Sequence, residues 1–441
     1  MGRFNDALPR IDDALTVGDA RGAFATLRPW LTYPQRLEDG DWAKALQRFE
    51  KVGREIVGDP FADLVHAASV HDDVQGLYDL GYELIEQELC DVAATVLARA
   101  VRKRPDLPGL LSELVTALEA EGRHADACRW LLAAPRALES AFVLRFLLAW
   151  NTALSGDLSG ARARLGLLGN AAGGDEAAMR ERLEELLARG EAVADATALD
   201  GDDLRGWHFV MHGSLLLRLS PHGFKEGMRG RYALTQDSEA RCREGLERLR
   251  LVLGAMKVEV PRVLRLPDRD STILAIAASR VFDAPLEHWN AASDDPGLVV
   301  AYDLSTVGPD LLTQLQPHRA GQVLWEHASR WVTDRPVAAD FVTYFYQYNT
   351  APWAEHTLVD ASTGGTLRAP PDDASPEVIA ARIAALPVDD RDLRDKDALL
   401  RFVAACAAAR HDGEALAGAL RTQGLRSRQW TGGPVASNRF R

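Results

Sequence analysis

The sequence is poor in the signals that announce common chemistries. It has four cysteines, Cys90, Cys128, Cys242 and Cys406, far apart in the chain. No Cys-x-x-Cys pair occurs, so neither a zinc ribbon nor a redox dithiol is readable, and no metal site is expected. Four small buried thiols in a reducing compartment are expected instead. No stretch approaches the roughly 20 uninterrupted apolar residues of a membrane helix. The nearest, FVLRFLLAW, is short and carries Arg145. The opening MGRFNDALPRIDDAL has acids and a proline where a signal peptide needs an apolar core. A soluble, cytoplasmic protein is expected. Positive charge is also lacking. The net charge of -13 repels phosphate backbones and argues against general nucleic-acid binding. No G-x-G-x-x-G, P-loop or G-x-S-x-G pattern appears, which removes the common nucleotide and hydrolase fingerprints.

What is present is enough to bury sizeable cores. The 441 residues correspond to about three domains of ordinary composition. The clearest pattern is an internal repeat at an offset of 34 residues. Leu77, Leu80, Leu84, Ala93, Leu97 and Ala100 fall on Leu111, Leu114, Leu118, Ala127, Leu131 and Ala134, identical at every position. Continuing the offset, Leu114, Ala127 and Leu131 reach Leu148, Ala161 and Leu165. The first three leucines mark one face of a helix, and Ala93, Leu97 and Ala100 one face of a second. Alanine at the crossing lets the backbones approach, and Pro105 stops the second helix. One such pair cannot bury its apolar face alone, so neighbours must stack.

These residues resemble the tetratricopeptide repeat (TPR) family over residues of about 74–170, through Leu77, Leu80, Gly81, Leu84, Ala93, Leu97, Ala100 and Pro105. The second copy departs with Val115 in place of the glycine and with an early Pro135. The third has Arg145 and Thr152 at apolar positions. A glycine followed by alanine five and a large apolar residue nine positions later recurs at Gly18, Gly40, Gly122 and Gly156. It extends helical hairpins over residues 3–70. With an amphipathic helix from Asp175 closing the array, residues 1–195 read as one TPR-like helical domain. The resemblance implies a concave groove that binds a peptide or partner protein. Its candidate residues here are Tyr78, Tyr82, Glu113 and Asn151.

From about Leu204 the pattern changes. PRVLRL, GLVVAYDL, QVLWEHAS and FVTYFYQYN read as strands, alternating with helices in SEARCREGLERLRLVLGAM, STILAIAASRVF and PDLLTQLQ. This alternation predicts an α/β domain over 204–358, a mostly parallel, Rossmann-like sheet in three layers. Ligands in such sheets sit beyond the carboxyl ends of the strands. Two loops therefore hold the candidate ligand residues: Asp268, Asp270, Ser271 and Thr272 in PDRDST, and Asp303 and Ser305 after VVAYD. The plain reading of PDRDST is a helix cap, with Asp270 or Ser271 accepting from free amides and Arg269 pairing with either acid.

PDRDST also resembles the first motif of haloacid-dehalogenase-like phosphatases in its D-x-D-x-T spacing. That resemblance implies a nucleophilic Asp268, an acid/base Asp270 and magnesium between them. The family's later lysine is missing, since no lysine lies between Lys257 and Lys396. More loosely, a strand ending in an acid resembles the pyrophosphate loop of type I phosphoribosyltransferases, with the single Asp303 where that family has paired acids. No cofactor is expected unless the domain is catalytic, and then magnesium. His208 and His212, four apart, lack the neighbouring glutamate of a zinc protease and read as structural, as do His222, His288 and His327.

Residues 359–375 read as a Gly/Pro linker, 376–422 as C-terminal helices and 423–441 as a flexible basic tail. The expected function is that of an adaptor: a repeat module that recruits a protein, fused to an α/β domain that senses a ligand. The other reading is an enzyme of phosphoryl or phosphoribosyl chemistry targeted by the repeats.

Overall fold

The structure is a computed structural model that describes residues 4–222, 227–359, 365–389 and 393–437. The chain divides into two compact units, Met1–Leu183 and Glu184–Arg441. Among the described residues no helix is long and apolar enough to cross a membrane.

The first unit is helical: α1 (Phe4–Thr16), α2 (Ala20–Leu31), α3 (Asp39–Ile56), α4 (Asp59–His71), α5 (Val74–Glu86), α6 (Cys90–Lys103), α7 (Pro108–Ala120), α8 (His124–Leu132), α9 (Pro135–Ser140), α10 (Phe142–Leu154), α11 (Leu158–Leu165) and the start of α12 (Gly174–Val193). The 34-residue offset is visible in the backbone. α5, α7 and α10 begin at 74, 108 and 142, and α6, α8 and α11 at 90, 124 and 158. Before each of the latter three stands a residue with positive φ: Glu88, Gly122 and Gly156. Consecutive helices pack together, α5 on α6 and α6 on α7. The six leucine and alanine positions of the first copy are wholly buried, and so are those of the second except Ala134, 5% exposed. Gly81 is required at the α5–α6 crossing, because a Cβ there would lie 2.5 Å from the Leu97 side chain.

Two details differ from expectation. Gly18 is a left-handed turn residue, but Gly40 lies inside the first turn of α3, so that copy of the glycine pattern marks no turn. Pro135 ends the second copy's helix early and opens the extra turn α9.

The second unit is built on a sheet of β1 (Leu215–Leu216), β2 (Tyr232–Gln236), β3 (Val263–Arg265), β4 (Leu286–His288), β5 (Gly297–Ala301), β6 (Gln322–Arg330) and β7 (Phe341–Thr350). The order is β1-β7-β6-β5-β3-β4, with β2 also on β7, and every pairing is parallel. β5 and β6 are buried almost throughout, which is why they read as continuous apolar runs. The helices are α13 (Leu204–His212), α14 (Glu239–Met256), α15 (Arg269–Phe282), α16 (Pro309–Leu315), α17 (Pro376–Ala385) and α18 (Lys396–Ala408). α14 and α15 touch each other and the sheet, and α17 packs on both.

The C-terminal readings need correction. The linker composition at 359–375 forms part of a hairpin, β8 (His356–Val359) antiparallel to β9 (Thr366–Ala369). Of the expected C-terminal helices, α17 and α18 form within the same compact unit as the sheet, but the last does not: Arg410–His411 pairs antiparallel with Glu414–Ala415 and a 3-10 turn follows at Gly418–Leu420. The tail is not free either. Pro317 bridges to Leu425 and Arg335 to Gln429. Arg426 is buried and grips both oxygens of Asp340 at 3.1 and 2.8 Å. Arg428 likewise pairs with an acid far upstream, Asp334, at 3.2 Å. Residues 438–441 lie outside the described residues.

Candidate functional site

All seven strands run the same way, so both predicted loops leave one edge of the sheet. From β3 the chain moves outward through α15 to β4. From β5 it moves the opposite way through α16 to β6. The adjacent pair β3–β5 is thus the point where the winding reverses, the place where sheets of this kind bind ligands. The loops are tied together, because the Tyr302 amide donates to Ser271 Oγ at 3.0 Å.

The six sequence-predicted residues divide into two kinds. Asp268 is the cap of α15, accepting from the Ser271 amide at 2.8 Å; the cap is therefore not Asp270 or Ser271. Its other oxygen, Oδ2, is buried and has no hydrogen-bond partner among the described residues. Ser271 and Thr272 are buried and serve the turn, the latter donating to the Leu266 carbonyl at 3.2 Å. Asp303 is buried, accepting from the Ser305 amide at 2.8 Å and from the Tyr346 hydroxyl. Asp270 and Ser305 remain half-buried at the edge. Asp270 accepts from Trp353 Nε1 at 2.6 Å. Burial, more than the neighbouring Asp268 and Asp303, holds its carboxyl above the usual range. Arg269 pairs with neither acid and donates to the carbonyls of Asp372 and Ala374.

Behind this edge lie two buried polar clusters that sequence reasoning missed. In one, Arg335 bonds Glu326 through two nitrogens, at 2.5 and 3.0 Å, and lies 4.0 Å from Asp303. In the other, Asp237, at the end of β2, accepts from Tyr302 at 2.9 Å, His327 Nε2 at 3.1 Å and the Cys242 thiol at 3.6 Å. Burial opposes its charge, but the His327 ring and Arg241 outweigh that and hold its pKa low. His327 had read as an ordinary core histidine. It is wholly buried, but in a polar cluster, and its ligand-capable atom lies within 4.8 Å of those of Asp237 and Cys242. Asp237 and His327 are 90 residues apart, so no local spacing could have paired them. Tyr302 links the cluster to the edge, tilted against Trp353 with ring centroids 5.3 Å apart.

His208 and His212 do share a face, with rings 5.1 Å apart. They line a small cavity with Trp207, Trp331 and Trp430. Burial pushes His208 down to about 3, so it is neutral when bonded to Ser214 at 2.9 Å.

In the first unit, Tyr82 is 47% exposed on α5, and Tyr78 and Glu113 are half-buried beside it. Burial, then the charge of Glu113, raises the Tyr78 phenol, and α5 and α7 lie in contact. Asn151 is not on that face. It is fully buried, donating to Glu119 at 2.6 Å and bonding His124 at 2.9 Å. Burial pushes Glu119 up to about 7 and His124 down to about 4.

No family model, curated protein or solved structure matches the chain.

Proposed function

We propose that this protein is a cytoplasmic adaptor: its helical unit is a TPR-like solenoid that holds a peptide or partner protein, and its Rossmann-like α/β unit senses a small ligand. The observation that carries this reading is the recurrence of helix starts at 34-residue steps, 74, 108, 142 and 90, 124, 158. A stack of similar hairpins presents the same face repeatedly, and that face suits an extended peptide. Tyr78, Tyr82 and Glu113 on α5 and α7 offer aromatic area and a hydrogen-bonding carboxyl. Support for the ligand-sensing half is the reversal of winding between β3 and β5, where such sheets bind ligands.

A catalytic α/β unit of phosphoryl or phosphoribosyl chemistry is the second reading. It is favoured by Asp268, Asp270 and Asp303 meeting at one edge, where magnesium would be its cofactor. Against it stands the engagement of Asp268 in a cap and of Asp303 with Tyr346. Partner recovery by the full chain tests the choice. Tyr78→Ala with Tyr82→Ala should lose a partner that Asp303→Asn retains. Turnover of a phosphorylated substrate that Asp303→Asn abolishes would move the function to that edge.

A further inference from the structure

The cluster behind that edge of the sheet has the composition of a metal centre. Asp237 supplies a carboxylate, Cys242 a sulfur and His327 an imidazole, all buried, and their donor atoms lie within 4.8 Å of one another. We propose that Asp237, Cys242 and His327 bind a divalent zinc-class cation that pins the edge strand β2 and helix α14 to the centre of the sheet.

The spacing supports this. A tetrahedral ion about 2.0–2.3 Å from each donor requires donor separations of roughly 3.2–3.6 Å. His327 Nε2 lies 3.1 Å and Cys242 Sγ 3.6 Å from Asp237 Oδ2. The Tyr302 phenol oxygen lies 2.9 Å from the same atom. Without an ion, three donors from three side chains crowd onto a single carboxylate oxygen. An ion among Asp237, Cys242 and His327 converts that competition into a bond from each of them.

The surroundings orient the carboxylate, while the other ring nitrogen of His327, Nδ1, is buried with no hydrogen-bond partner among the described residues. The other carboxylate oxygen, Oδ1, is held by the Ser238 amide at 2.8 Å and by Arg241 at 3.4 Å, which leaves Oδ2 facing the cluster. The His327 ring is wedged edge-on between Trp325 and Tyr344. Gly245 makes room for it, since a Cβ there would lie 2.7 Å from His327 Nδ1. Asn349 donates to the Tyr302 oxygen at 3.1 Å. A mixed N, O, S set of this kind selects zinc or cobalt over the oxygen-seeking magnesium and calcium.

The three ligands come from the residue after β2 (Asp237), the first turn of α14 (Cys242) and β6 (His327), with Tyr302, the residue after β5, beside them. An ion so enclosed enters during folding. The test is expression of the full chain in cobalt-supplemented medium, with metal content by mass spectrometry and the absorption spectrum of the folded product. The expected result is a single cobalt ion per chain with a thiolate-to-cobalt charge-transfer band. Cys242→Ala should drop both to background, whereas Cys128→Ala should keep both. Folded wild-type protein with no cobalt and no thiolate band overturns the proposal and leaves a hydrogen-bonded core. So does a band that survives Cys242→Ala. Because the wild-type spectrum decides, failure of a variant to fold does not rescue the idea.

Discussion

At the scale of single residues, the acids of PDRDST show how one side chain type takes two roles within three positions. Asp268 caps α15, and Asp270 is left at the sheet edge against Trp353. Asp268→Ala should therefore cost about 0.5–2 kcal/mol, and Asp268→Asn far less, because an amide oxygen also accepts from the Ser271 amide. Urea unfolding midpoints would check this; equal losses for Ala and Asn would mean that charge, not capping, is what Asp268 provides. A second residue-scale prediction concerns the buried pair around Asn151. Glu119 rises from 4.5 to about 7 on folding, so its contribution to stability is present at low pH and is lost as pH rises toward 7. His124 falls from 6.5 to about 4, so its contribution is present above 6.5 and is lost as pH falls toward 4. The two slopes oppose each other across about pH 4.5–6.5 in the wild type. Glu119→Gln should leave stability rising with pH in that window, and His124→Asn should leave it falling through about pH 7. Parallel midpoint-versus-pH curves for both variants would show that these groups do not titrate as their burial requires.

At the scale of elements, the segments that the sequence made legible are those whose pattern is local. Leu77, Leu80 and Leu84 declare a helix face within eight residues, and β5 and β6 declare themselves as buried apolar runs. The pieces that escaped depend on distant partners. GWHFVMHGSLLLRLS looks like one apolar run, yet splits into α13 and the two-residue β1, because Gly213 adopts a left-handed φ of 67° and ends the helix. The loops at that edge were found because strand ends are visible in sequence. The Asp237 cluster was not, because Asp237 and His327 are 90 residues apart in the chain. The C-terminal segment is the clearest case: composition suggested a loose tail, whereas Arg426 supplies the buried partner of Asp340 across 86 residues. Removing one member of such a pair leaves a buried charge alone and costs about 3–5 kcal/mol. Arg426→Ala should lower stability by that amount in chemical denaturation. A change below about 0.5 kcal/mol, typical of exposed sites, would return the segment to the status of a tail.

At the scale of the whole molecule, the account joins two halves with different kinds of argument. The helical half rests on periodicity, since helix starts and left-handed turn residues recur at the same 34-residue step. The α/β half rests on topology, since only one adjacent strand pair has its connections leaving in opposite directions. Its central claim is that the helical unit, through the α5–α7 face, holds the partner. The most direct measurement is site-specific photocrosslinking in the full chain in its cells, with the reactive group placed at Tyr82 or, as a control, at Leu367, which is 60% exposed on β9 in the other unit. The account predicts a discrete adduct from Tyr82, mapping to one peptide segment of the partner and absent when Tyr78 is alanine, and none from Leu367. An adduct from Leu367 alone, with Tyr82 silent, would contradict it.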